Sequence, residues 1–300
     1  MFYEGLDGFV AHTVPFLWEG IGGDESMFVV VSAEKIERLR DALGRDAERV
    51  RFADMAKVGK NPARIIPAWS DFVKRAAATG RPFRGIGEPI SAARSADELV
   101  ECERHEALLN LAFAEGPAWR LACPYDTTSL PASVLEEAKR NHPFLWNGKG
   151  ETLSTTYWTL AAISAPFDRT LPEPTVPTES IAFDAEGLGD ARRFVAGHAE
   201  TWGLTPERAD GLVLAASEVA TNTIRHGGGE GALRMWRTDA SVICEVADHG
   251  SIADPLVGRR DPQLNSGSGF GLWLANQMCD LVQVRSFATG SVVRLHVGLR

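Results

Sequence analysis

Apolar and polar positions in the first half of the chain fall into two alternating kinds of run. Short stretches dense in β-branched and aromatic residues predict strands: MFVVVS (27–32), the run around Arg51 and Phe52, PFRGIGE (82–88) and WRLACPY (119–125). Between them lie longer stretches whose apolar residues recur three and four apart, one ending at Gly44 and others over 64–79, 97–113 and 132–141, and these predict helices. Strand and helix in alternation predict parallel strands joined by crossover helices, a three-layer α/β domain. The segment Gly20-Ile21-Gly22-Gly23-Asp24-Glu25 stands directly before a strand and predicts a turn.

The alternation stops at RTLPEPTVPTES (169–180), which has three prolines and no periodicity, the composition of a semi-rigid linker. It predicts a boundary between domains at 1–168 and 181–300. Beyond it, a helical pattern over 188–202 is followed by Thr205-Pro206, an N-cap and first-turn pair that opens a second helix. LRMWRTD and SVICEVAD then read as strands joined through Thr238-Asp239-Ala240, followed by a long polar loop from Gly250 to Ser268. GLWLANQMCD reads as a helix, and LVQVRSF with SVVRLHV as a closing hairpin. These elements predict a second domain that is an α/β sandwich.

At 300 residues and 44% hydrophobic composition, the chain has enough apolar surface for two separate cores. A formal net charge of -9 and a pI near 5.4 argue against a surface for the phosphate backbone, so no direct nucleic-acid partner is expected. No apolar run reaches the ~18 residues of a membrane span, and MFYEGLDGFV lacks a basic leader, so a cytoplasmic protein without a membrane partner is expected. Cys102, Cys123, Cys244 and Cys279 show no CxxC pair and predict buried, reduced thiols. His12, beside Phe9, Phe16 and Trp18, predicts a core residue. No GxxxxGK[ST] occurs, which excludes a P-loop.

Candidate chemistry concentrates in SEVATNTIRHGGG (217–229). Helical periodicity puts Glu218 and Asn222 one turn apart on one face, where a carboxylate and an amide oxygen can share a metal-bound phosphate. Glu218 sits among small and apolar residues, where desolvation would raise its carboxyl toward the range of a base. Arg225 offers a guanidinium for phosphate, and His226 stands at the helix end, where a structural role is favoured. Asp248 ends a strand and can accept from the exocyclic amine of a purine, with Gly250 allowing close approach. Gly267, Gly269 and Gly271 precede a helix and offer free amides to an anion. Thr289-Gly290 reads either as a further nucleotide contact or as a plain hairpin turn. Tyr125 and Asp126 lie at a strand end of the first domain, where open α/β sheets place ligand clefts.

The order of these motifs resembles the GHKL (Bergerat) ATPase superfamily over roughly the last 120 residues. Glu218 and Asn222 match its N box, Asp248 and Gly250 its adenine-binding box, Gly267, Gly269 and Gly271 its second glycine box, and Thr289 and Gly290 its last motif. The resemblance implies ATP held between a helical layer and a mixed sheet, with Asn222 as a magnesium ligand. An acidic residue four positions before the Asn is most similar to the anti-sigma-factor serine kinases of bacterial partner-switching pathways, which implies Glu218 as general base. The implied partners are a sigma factor and an anti-anti-sigma protein of the STAS type. The chain departs from the pattern at Ser251-Ile252, where the second glycine of DxGxG is absent. That departure favours an ATP-ordered binding module that transfers no phosphate. A sensor histidine kinase ranks last, because Pro172, Pro174 and Pro177 stand where its phosphoacceptor helices belong and the helix bearing His198 is too short. HTVPFLWEGIGGDESMFVVV, Cys123-Pro124-Tyr125-Asp126 and His142-Pro143 resemble the MEDS sensory domain, which implies a small-molecule ligand for the first domain. A homodimer stays open.

Overall fold

The computed structural model describes residues 1–146, 150–157, 169–262 and 269–299, and the chain divides into two compact units, Met1–Ile163 and Ser164–Arg300. The N-terminal unit begins with β1 (Phe2–Tyr3), α1 (Gly5–Gly22), β2 (Ser26–Val31), α2 (Ala33–Leu43), β3 (Val50–Asp54), α3 (Met55–Val58) and α4 (Ile65–Ala78). It continues through β4 (Phe83–Gly87), α5 (Ala96–Ala112), β5 (Arg120–Ala122), β6 (Tyr125–Asp126), α6 (Ala132–Asn141), β7 (Phe144–Trp146) and β8 (Glu151–Leu153). Four strands form a parallel sheet in the order β3-β2-β4-β5. Every residue of β2 from Met27 to Val31 is buried, as a strand covered on both faces requires. Phe9, Leu17 and Leu39 from α1 and α2 pack with Val29 and Val31, while Trp69 and Phe72 of α4 stack on Phe28. The result is the three-layer α/β unit that the alternation predicts.

Helix α1 is the main departure from the sequence reading. It runs through Pro15 and continues to Gly22, so the expected turn over 20–25 is confined to residues 23–25. Proline and four glycines weaken the local helical signal, but burial of Phe9, Val14 and Leu17 in the core overrides it. His12 is half-buried on this helix with its Nδ1 2.7 Å from the Gly8 carbonyl oxygen, a backbone bond and not a core position. β1 pairs parallel with β6, and Asp126 is used up in that region. Its carboxylate accepts from the Gly5 and Thr128 amides and from the Thr128 and Ser129 hydroxyls.

The C-terminal unit consists of β9 (Glu179–Asp184), α7 (Leu188–Thr201), α8 (Pro206–His226), β10 (Glu230–Arg237), β11 (Ser241–Asp248), α9 (Phe270–Met278), β12 (Leu281–Phe287) and β13 (Gly290–Gly298). The sheet order is β12-β13-β11-β10-β9, and every pair is antiparallel, in contrast to the mixed sheet implied by the resemblance. Val195 and Ala199 of α7, Leu212, Ala216 and Val219 of α8 and Ala275 of α9 pack on Leu233, Cys244, Val282 and Leu295 of the sheet. An alternating strand face must go somewhere, and the second face is a charge ladder. Arg234, Glu245 and Arg294 lie side by side in register, and Glu245 accepts from both guanidinium groups at 2.6 and 2.7 Å.

Residues of the proline-rich segment contribute to this face. Pro172 accepts from Arg294 through its carbonyl, and Glu173 pairs with Arg234 at 2.8 Å, so the chain is fixed to the C-terminal unit from residue 172 onward. The strand Glu179–Asp184 is absent from the sequence reading, which ends the linker at residue 180 and assigns no element before 188, because its exposed residues hide the alternation. All four cysteines are buried and unpaired by disulfides, and burial pushes the Cys102 thiol up to about 12.

Candidate functional site

Helix α8 begins at Thr205 with Pro206 in its first turn, and a row of small residues, Ala209, Ala215, Ala216 and Ala220, lets it lie close on the sheet. Its opposite stripe, Glu218, Asn222 and Arg225 at i, i+4 and i+7, turns toward a cavity of about 540 Å³ that Asp248, Gly250, Gly269, Gly271 and Ser291 also line. This volume lies in the ~300–1,000 Å³ range of small-molecule sites. The structure therefore brings Glu218, Asn222, Arg225, His226, Asp248, Gly250, Gly269 and Gly271 to one cavity, while Thr289 and Gly290 do not line it and Tyr125 and Asp126 belong to the N-terminal unit. Gly267 lies outside the described residues.

Asp248 ends β11 within a set of hydrogen bonds. Its Oδ2 accepts from the Thr223 hydroxyl at 2.8 Å, and its Oδ1 accepts from the Gly250 amide at 2.9 Å and the Ser291 hydroxyl at 2.7 Å. A carboxylate has about four acceptor positions; three are taken, which leaves one on Oδ2 of a residue that lines the cavity. Gly250 lines the cavity and also answers a packing requirement. A Cβ there would stand 2.6 Å from the His226 carbonyl oxygen, so the glycine lets the chain pass under the end of α8. His226 is exposed, and its backbone joins that packing, as a structural role implies.

Gly271 lies on the first turn of α9, where it faces α8. A Cβ at this position would lie 3.0 Å from both the Glu218 Oε2 and the Asn222 Nδ2. The absence of a side chain thus opens the space in which the carboxylate and the amide stand together. Among the described residues neither side chain has a hydrogen-bond partner, an arrangement that an incoming ligand can satisfy. Gly269 caps α9 in the left-handed conformation, with φ +80°, and the first amides of the helix are open to the cavity mouth.

Ile252 occupies the place of the missing glycine. Its amide donates to the Ser286 hydroxyl at 2.8 Å, and its side chain both lines the cavity and packs on the core. The following turn is anchored: Leu256 is buried, and Asn276 of α9 donates to the Gly258 carbonyl at 2.9 Å. The first half of the long loop is therefore part of the packed structure.

Thr289 does not line this cavity but a neighbouring depression, which Asp248 also lines together with Phe183, Asp184, Glu230 and His249; on the cavity side the Ser291 hydroxyl meets Asp248. The β11–β13 register pairs Asp248 with Ser291, a pairing of strands separated by α9 and β12 that no local sequence pattern shows. Thr223, beside Asn222 and buried, is the other contributor that the motif reading missed.

A three-helix layer on an antiparallel sheet, with a polar cleft between the end of α8 and the start of α9, defines an α/β sandwich with a ligand-sized site. Residues 181–297 match the family described as histidine kinase-like ATPase domain, and residues 1–143 match the MEthanogen/methylotroph, DcmR Sensory domain, MEDS. The chain thus carries a MEDS domain followed by a histidine kinase-like ATPase domain. Among solved structures, the RsbU and RsbW domains of Rv1364c from Mycobacterium tuberculosis are similar at 18% identity and a TM-score of 0.32, over 41% of this chain and 32% of that one. No curated protein matches the chain.

Proposed function

We propose that the C-terminal unit binds ATP with magnesium and passes the γ-phosphoryl group to a serine or threonine of an anti-anti-sigma protein, within an anti-sigma regulator governed by the N-terminal unit. The observation that carries this reading is the pair of unpartnered groups, Glu218 and Asn222, held one turn apart over Gly271 at one side of a cavity that Asp248 also lines. A purine fits the single open acceptor position of Asp248, and phosphates fit the amides at the start of α9 and the Arg225 guanidinium. The Asn222 amide oxygen would hold magnesium, which supplies neutralisation of phosphate charge. Glu218 accepts the proton as the protein hydroxyl attacks; the new O–P bond forms while the bond from the γ-phosphorus to the ADP oxygen breaks, and the proton then passes to water.

Incubation of the full chain with labelled ATP, Mg²⁺ and an anti-anti-sigma candidate tests the reading. Acid-stable phosphoserine or phosphothreonine on the partner is expected. Nucleotide binding without transfer to any such candidate replaces the kinase with a binding module ordered by ATP, the second reading, which Ile252 in the place of the motif glycine favours.

A further inference from the structure

In the N-terminal unit a cavity of about 510 Å³ has aromatic walls that include Phe113, Trp119 and Trp146. Glu106 of α5, Cys123 just beyond β5 and His142 just beyond α6 also line it, and one ligand atom from each lies within 4.8 Å of the other two. Glu106 is 2% exposed and Cys123 5%. Neither the ATPase reading nor the fold explains why three such groups converge there.

Three features point to a cation. Both carboxylate oxygens of Glu106 are buried outside good hydrogen-bond geometry, and the His142 Nε2 stands 3.3 Å from Oε2, an ion-pair distance, with the Cys123 thiol beside them. A buried carboxylate served so poorly is costly unless a positive charge meets it. The His142 Nδ1 lies 2.8 Å from the Ala138 carbonyl oxygen, which can only accept, so Nδ1 donates there and Nε2 is the ring nitrogen that faces the cluster. A backbone carbonyl on one ring nitrogen with the other free is how metal-bound imidazoles are oriented. Spacing agrees as well. Zinc bonds of ~2.0–2.3 Å in tetrahedral geometry set neighbouring ligand atoms about 3.3–3.6 Å apart, and the His142–Glu106 contact already has that separation. The Tyr125 hydroxyl, buried without a partner, belongs to the same region, with its ring edge-on to His142.

We propose that Glu106, Cys123 and His142 are the protein ligands of a zinc-class divalent ion, with a fourth position that opens into the aromatic-walled cavity. Thiolate with imidazole selects zinc and its neighbours over magnesium or calcium, so this site is chemically distinct from the magnesium site proposed at Asn222. Three protein ligands and an open position is the pattern of sites that exchange a ligand, whereas purely structural zinc is closed by four. The N-terminal unit would then detect its small molecule by direct coordination or by displacement of metal-bound water.

The test uses the full chain without an affinity tag, stripped of metal by a chelator, reloaded with Zn²⁺ or Co²⁺ and passed through a desalting column. One zinc per chain is expected to remain, and the cobalt form is expected to show a thiolate charge-transfer band with the visible spectrum of a tetrahedral ion. Cys123→Ser should abolish that band, and Glu106→Gln and His142→Gln should each weaken zinc at least about tenfold against a chromogenic chelator. Near-ultraviolet dichroism identifies any variant that fails to fold, and the parent's cobalt spectrum decides the matter on its own in that event. A reloaded parent that retains no metal, a cobalt spectrum without the thiolate band, or folded variants that hold zinc as tightly as the parent would each overturn the proposal.

Discussion

Asp248→Asn should reverse which purine the C-terminal unit prefers. In the parent, Oδ1 accepts two donors, the Gly250 amide and the Ser291 hydroxyl, and Oδ2 accepts one, from Thr223. An asparagine must keep its oxygen on the side of Gly250, because an amide NH₂ there would face a backbone N–H that cannot turn away. Its NH₂ then occupies the place of Oδ2, where the Thr223 hydroxyl can rotate from donor to acceptor. The fold therefore loses little, on the order of 1 kcal/mol for exchanging one charge-assisted bond. The open position, however, changes from acceptor to donor. It then opposes the exocyclic amine of adenine, a mispairing that costs about 1–3 kcal/mol, or roughly 5- to 140-fold in affinity. The 6-oxo group of inosine is an acceptor and meets the new donor, so ITP should gain what ATP loses. Titration calorimetry on parent and variant with both nucleotides, with Mg²⁺ present, measures this. If the variant binds ATP and ITP in the parent's ratio, Asp248 does not read the base and the assignment of the cavity fails.

Glu218→Gln retains size and hydrogen bonding but removes the base, so phosphoryl transfer should fall by ~10² to 10⁴ while ATP affinity is kept, as single-turnover assays would reveal. Gly271→Ala places a methyl 3.0 Å from both the Glu218 and Asn222 head groups; it should depress nucleotide affinity and transfer together with the melting temperature nearly unchanged, and an unaffected calorimetric titration would show that the two groups do not act there. Asp126→Asn should destabilise the N-terminal unit by about 1–3 kcal/mol at neutral pH through weaker bonds to Gly5, Thr128 and Ser129. Burial opposes ionisation of Asp126, but these hydrogen bonds outweigh it and hold the carboxyl below its usual range. A depressed folded value contributes stability above the unfolded value of ~3.9; the gap between parent and variant should therefore be full at pH 6, shrink as pH falls below about 4, and, if it instead stays constant into acid, owe nothing to the charge.

The parts of the fold legible in the sequence are those where local pattern and tertiary packing agree. β2 reads as a strand because a parallel strand buried on both faces is apolar at nearly every position. α8 reads as a helix from its Thr-Pro start and its apolar spacing. α1 fails the same test because Pro15 and its glycines contradict it locally, and only the core that receives Phe9 and Leu17 resolves the conflict. β9 fails for the opposite reason: as an edge strand with four exposed residues of six, it has no apolar face dense enough to register.

The site divides along the same line. Residues whose position is set by helical spacing, Glu218 with Asn222 and Arg225, are legible, since periodicity alone puts them on one stripe. Residues whose position depends on which strands pair are not: Ser291 comes to Asp248 only through the β11–β13 register, which no local pattern announces. The glycines show how type can be legible and cause can be missed. Gly250 was expected to make room for a purine, yet the atom its side chain would strike belongs to His226 at the end of α8. Since that contact ties the base of the loop to the end of the helix bearing Glu218 and Asn222, a bulkier residue at 250 would act on the site through the position of α8. Gly250→Ala is therefore expected to weaken nucleotide binding through helix–strand packing whichever base the cavity receives, and an unchanged titration would show that the contact does not reach the site.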